Sequence, residues 1–115
     1  MIKRHGQGKY LHRAVEANGT LYLCGMTPAD KSADIKGQTR QALEKMSNLL
    51  DELGSSKSRV LTISVYLTDM SLREGMTEAW TEFFAPDELP ARATMGVSDL
   101  GPGVLIEIQA TALAG

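Results

Sequence analysis

Residues 35–53, IKGQTRQALEKMSNLLDEL, place Ile35, Thr39, Ala42, Leu43, Met46, Leu49, Leu50 and Leu53 at spacings of three and four. That period builds one stripe along a helix, with Lys36, Arg40, Glu44 and Asp51 on the opposite side. A helix with a single stripe must lay it on a partner surface. Asp34 stands where an N-cap belongs and Gly54 where a helix stops. A second stripe, Leu72, Met76, Ala79, Trp80, Phe83 and Phe84, follows Ser71-Leu72-Arg73-Glu74, which reads as a capping box. Pro86 prevents its continuation.

The surface these helices need is a sheet. Residues 59–68, RVLTISVYLT, alternate strictly, with Leu61, Ile63, Val65 and Leu67 on one face and Val60, Thr62, Ser64 and Tyr66 on the other. Asn18-Gly19 separates the runs 14–18 and 20–25, a strong hairpin signal because both residues tolerate positive φ. A short strand is expected at 2–5, loop at 26–33, and two last strands at 91–98 and 104–112, with Gly101-Pro102-Gly103 turning between them. The predicted fold is α+β: a two-layer sandwich with one mostly antiparallel sheet of about six strands and two helices on one face. No repeat or linker divides it, so residues 1–115 are read as one domain. Two helices cover only one face. The other, half apolar through Val60 and Tyr66, is expected to be buried between copies of the chain.

Composition narrows the function. The net charge is −2, with 12 basic residues scattered among 14 acidic ones, whereas nucleic-acid binding runs on clustered cations. No nucleic acid is therefore expected as a partner. No run approaches the length of a membrane span, and the N-terminus lacks a signal-peptide core, so no membrane partner is expected. The single cysteine, Cys24, forms no disulfide within the chain, and with only His5 and His12 it makes no zinc site. A reduced cytoplasmic location, with no metal and no cofactor, is the expectation.

The residues that invite chemistry are few. Arg92, in LPARATMG, is expected to share a strand face with Thr94 and Gly96, opposite Ala93, Met95 and Val97. The apolar set suits the helix layer, which puts Arg92 on the open face. Its guanidinium fork matches carboxylate or phosphate, and an ion pair to Glu88, Asp87 or a neighbouring subunit is the plainer alternative. Glu107, in VLIEIQATAL, shares its face with Leu105, Gln109 and Thr111, and with Arg92 if the last two strands pair. It reads as a group that positions water or moves protons, or as a salt-bridged glutamate. Cys24 is a small buried hydrophobe or a site residue, and His12 is expected at the surface.

Taken in order, NGTLYLCGMTP, GQTRQALEKMSNLLDELG, VLTISVYLTDM, AWTEFF, LPARAT and IEIQA resemble the RidA/YjgF family of reactive-intermediate deaminases across nearly the whole chain. PARAT followed by IEI is the most specific part. The resemblance implies a chorismate-mutase-like fold, a homotrimer with sites at the subunit seams, and hydrolysis of enamine and imine intermediates to 2-keto acids and ammonia. The family arginine falls on Arg92, implying a clamp for the substrate carboxylate. The family glutamate falls on Glu107, implying water orientation or proton relay. Gly25 and Cys24 match pocket-lining positions, and Thr94 takes a position that is cysteine in some members. The family tyrosine that packs over substrate aligns nearest to Leu11, with Tyr10 adjacent but of opposite strand parity, and a common asparagine appears as Thr77. The alternative is a non-catalytic trimer that binds small carboxylates; an RNA-cleaving role, also attached to the family, is opposed by the acidic balance.

Overall fold

In the computed structural model, which describes all of residues 1–115, six strands form one sheet: β1 (Ile2–Gln7), β2 (His12–Ala17), β3 (Thr20–Leu23), β4 (Val60–Leu67), β5 (Ala91–Gly96) and β6 (Ile106–Leu113). Their spatial order is β1-β2-β3-β6-β4-β5. Two helices, α1 (Ile35–Glu52) and α2 (Arg73–Phe83), pack against each other and share one apolar core with the sheet. The α+β two-layer expectation holds.

The local chemistry behaves as the residues require. Asn18 and Gly19 adopt φ of 51° and 77°, closing the β2–β3 hairpin at a turn with both central residues left-handed. Asp34 caps α1, its carboxylate accepting the Gly37 N–H at 2.9 Å. Ala42, Leu43, Met46, Leu49 and Leu50 are buried along the predicted stripe. They face Ala14, Leu21, Leu23, Ile63, Val65, Leu67, Ile106, Ile108 and Ala110 from the sheet. Each fully buried leucine contributes roughly 1.5–3 kcal/mol over an exposed one.

Gln38 is a polar residue with no exposure at all. Its amide donates to the carbonyls of Lys31, Ala33 and Gly103 at 3.2, 3.1 and 2.9 Å, and its oxygen accepts the Leu105 N–H at 2.8 Å. One side chain on α1 thus ties the loop before it to the approach of β6.

Four expectations are corrected. Strands β5 and β6 do not pair: β4 lies between them, antiparallel to β6 and parallel to β5. The physical reason is α2, since a strand, a helix and a second strand form a crossover that delivers a parallel neighbour. Leu61 does not share the core face, because a register irregularity between Val60 and Thr62 buries Val60 and leaves Leu61 42% exposed. The Ser71–Glu74 capping box does not form. Asp69 caps a 3-10 turn over Met70–Leu72 instead, accepting the Ser71 N–H at 2.9 Å and its hydroxyl at 2.7 Å. Those two hydrogen bonds hold the Asp69 carboxyl below the usual aspartate range. Residues 26–33 are not all free loop, for Met26 and Ile108 exchange two backbone hydrogen bonds.

Candidate functional site

Arg92 sits on the edge strand β5, opposite Ile63 of β4, and Thr94 sits opposite Val65. Paired residues of neighbouring strands project to the same face. Ile63 and Val65 belong to the buried core, so Arg92 and Thr94 point to the helix side of the sheet. The expectation that Arg92 faces the open side is overturned. It followed from treating Ala93 and Met95 as core residues, whereas both are exposed beyond the reach of the helices.

What Arg92 meets there is the inner flank of α2. Its guanidinium carbon lies over the Trp80 ring, 4.9 Å from the centroid, and Nη1 donates to the Met76 sulfur at 3.6 Å. No carboxylate stands within 4 Å of it: the four ion pairs of the chain are His5–Glu16, Arg13–Glu52, Lys36–Glu78 and Lys36–Glu82. The ion pair to Glu88 or Asp87 does not form. Arg92 borders an opening of about 640 Å³ along α2, lined with it by Arg73, Glu74, Thr77, Glu78 and Thr81. Thr77 therefore shares a site with Arg92.

Glu107 lies two strands away. It is half-buried in β6 opposite Tyr66, on the face that the helices leave uncovered. Its carboxylate packs on Gly25: a β-carbon at position 25 would overlap Oε2 and stand 2.9 Å from Cδ. Only glycine permits that approach. Cys24 and Gly25, just past β3, line a second cavity of about 410 Å³ with Arg13, Met26, Thr27, Lys45, Asn48 and Glu52. Leu11 is exposed in the turn between β1 and β2, where the Gly8 N–H donates to its carbonyl at 2.8 Å. Tyr10 is in the same turn and 87% exposed, so strand parity does not govern it.

The candidate residues thus form two groups in one chain. Arg92, Thr94 and Thr77 gather at the β5–α2 edge, and Cys24, Gly25 and Glu107 gather at the end of β3. Thr77 is marked in the sequence only through the family resemblance, because a threonine on a helix flank carries no signal of its own; α2 laid beside β5 is what puts it at the Arg92 opening.

A profile of the family described as "Endoribonuclease L-PSP" matches residues 2–114. A RutC family protein of Pyrococcus horikoshii is 39% identical over 106 residues, covering 87% of this chain and 83% of that protein. The 3-aminoacrylate deaminase RutC of Acinetobacter baylyi is 30% identical over 105 residues, covering 86% of this chain and 82% of its own. Among solved structures, a YjgF family member from Neisseria meningitidis superposes with a TM-score of 0.94 at 32% identity, covering 100% of this chain and 96% of that one.

Proposed function

Because the chain belongs to the YjgF/RidA family, we propose that it hydrolyses reactive imine and enamine intermediates of amino-acid metabolism to 2-keto acids and ammonia. The observation that carries this reading is Arg92: a guanidinium without a carboxylate partner, bordering an opening large enough for a small acid. A bidentate pair with the substrate carboxylate would satisfy the donors that the chain itself leaves free. The related RutC of Acinetobacter baylyi is named for 3-aminoacrylate, an enamine that also carries a carboxylate.

The chemistry asks little beyond placement. Protonation of the imine nitrogen makes the adjacent carbon electrophilic. Water adds to that carbon, the nitrogen takes a second proton, the carbon–nitrogen bond breaks, and a keto group and ammonia result. An enamine first takes a proton on carbon. Glu107 is proposed to accept the proton of the attacking water and pass it to the departing nitrogen, and the carboxylate clamp turns the encounter into an oriented one.

Arg92 and Glu107 cannot perform this within one chain, since they project from opposite faces of the sheet. We therefore propose that a second copy completes the site in a homotrimer, bringing the group of Cys24, Gly25, Glu107 and the turn of Leu11 against the Arg92 group of its neighbour. The uncovered face offers the apolar surface for such assembly: Tyr22, Met95 and Leu113 are 52%, 38% and 39% exposed. Thr94 would border the seam beside Arg92.

The test is a coupled assay in which purified protein is added to an amino-acid oxidase or dehydratase reaction over several precursors. Faster keto-acid formation, lost in Arg92→Ala, supports the reading; no acceleration with any imine overturns it. Leu11, standing where deaminase members carry a tyrosine, favours the second reading, a carboxylate binder without turnover. That reading requires a melting temperature raised by millimolar keto acid in the absence of catalysis. The name of the matching family raises RNA cleavage as well; a net charge of −2, with the basic residues scattered among acidic ones, opposes binding of a phosphate backbone.

A further inference from the structure

Arginine at an edge strand has a long, freely rotating stem, and a clamp for a planar carboxylate has to be held in one orientation. Proteins commonly hold such a side chain with an aspartate or glutamate, but that partner would occupy the donors and cancel the charge a ligand needs. Here the contacts are of another kind. The guanidinium lies over the face of Trp80, which is only 4% exposed, and reaches the sulfur of Met76, which is fully buried. A ring face attracts the cation through its quadrupole and takes none of its N–H groups. A thioether is a weak acceptor that ties up a single one.

We propose that Trp80, with Met76, is the positioning device for Arg92: the indole face and the thioether fix the guanidinium while leaving its strong donors free for a ligand carboxylate. The inference rests on the reading of Arg92 as a carboxylate clamp, and it adds a role to two residues that helical spacing assigns to a core stripe. Both are on α2 four residues apart, so they present one surface to β5. That spacing places a sulfur and a ring against the same side chain.

Trp80 is the only tryptophan of the chain, which makes its fluorescence a direct reporter of the contact. The experiment titrates the intact protein with pyruvate and 2-ketobutyrate while following Trp80 emission, for wild type, Arg92→Ala and Arg92→Lys. A saturable change in wild type that is absent in Arg92→Ala is expected. The same saturable change in Arg92→Ala overturns the proposal, because the indole would then sense ligand without the guanidinium. No saturable change in wild type overturns it as well.

Kinetics supply the second arm. In Trp80→Leu the KM for an imino acid is expected to rise about 3- to 30-fold with kcat little changed, since a looser clamp weakens ground state and transition state alike. Trp80→Phe and Trp80→Tyr, which retain an aromatic face, are expected to stay within about threefold of wild type. A purely structural role would order the variants by melting temperature and leave KM unmoved; that pattern defeats the positioning role. Should Trp80→Leu keep the wild-type KM while Arg92→Ala loses activity, the positioning role fails and the deaminase reading stands. Should wild type hydrolyse no imine, the deaminase reading fails and the emission titration still decides whether Trp80 and Arg92 act together on a carboxylate.

Discussion

Arg92 and Glu107 project from opposite faces of the same sheet, with β4 between their strands. Laterally they are about 10 Å apart, and along the strands about 10 Å more, by the ordinary spacings of a sheet. If both serve one reaction, each must act with the counterpart of another copy. Arg92→Ala and Glu107→Gln are then each inactive alone. Mixed by co-expression, they should recover roughly a quarter of wild-type sites, the share of seams that receive one intact arginine and one intact glutamate in a closed ring. Activity of tagged, co-purified mixed oligomers checks this, and a mixture no more active than its parents refutes a shared site.

Gly25 admits the Glu107 carboxylate against its own backbone. In Gly25→Ala the new methyl group displaces Oε2 and Cδ, the far end of a flexible side chain, so the fold should hold. The melting temperature is expected to move by only a few degrees, about what 1 kcal/mol produces in a domain of this size. Activity should fall on the order of 100-fold, because a displacement near 1 Å at a reacting group costs about that much. Stopped assays beside thermal melts separate the two effects, and an active Gly25→Ala enzyme removes Glu107 from the mechanism.

Asp69 starts the turn that leads into α2, the helix carrying Thr77, Met76 and Trp80. Its folded-state pKa is lowered, first by the Ser71 hydroxyl and then by the Ser71 backbone N–H. A depressed carboxylate contributes stability above its unfolded pKa and loses it as pH falls through the folded value. The contribution of Asp69 therefore vanishes only at pH values below the usual aspartate range. Asn at this position still caps the turn but carries no charge. The difference in melting temperature between wild type and Asp69→Asn should shrink as pH drops from neutral to strongly acid. A constant difference across that range would mean the charge of Asp69 plays no part.

The helix over residues 35–52 and the hairpin at Asn18-Gly19 were legible because each depends on contacts a few residues apart. Class, layer count and the uncovered face followed from two stripes and one alternating strand. Strand order was not legible from turn signals alone. Nearness along the chain suggests pairing 91–96 with 106–113, while the helix between 60–67 and 91–96 signals a parallel crossover instead. The face of Arg92 was not legible, since on an edge strand Ala93 and Met95 are exposed and hydrophobicity no longer marks the inside. The slip at Val60–Thr62 reversed Leu61 for a similar reason: alternation fixes parity only where the ladder is regular. Arg92, Glu107, Gly25 and Cys24 were found by type and motif, but the division into two groups needed the sheet.

Gln38 offers a test of how the loop before α1 is held to the segment that leads into β6. Its amide group serves three carbonyls and one backbone N–H from the segments at 31–33 and 103–105. In Gln38→Leu those groups lose a buried partner, and leaving such groups unmet costs about 2–4 kcal/mol in sum. The melting temperature should fall on the order of 10 °C at fixed protein concentration. Gln38→Glu is the sharper variant. A buried carboxylate facing three carbonyl oxygens is disfavoured in its charged form, so its folded pKa rises above the unfolded one. Stability of that variant is then greatest below the unfolded pKa and declines as pH rises through the folded value, the reverse of the Asp69 case. Melts of Gln38→Glu that recover toward wild type in mild acid support the network. If Gln38→Glu and wild type keep a fixed separation at every pH, the amide hydrogens are not what binds residues 31–33 to residue 103.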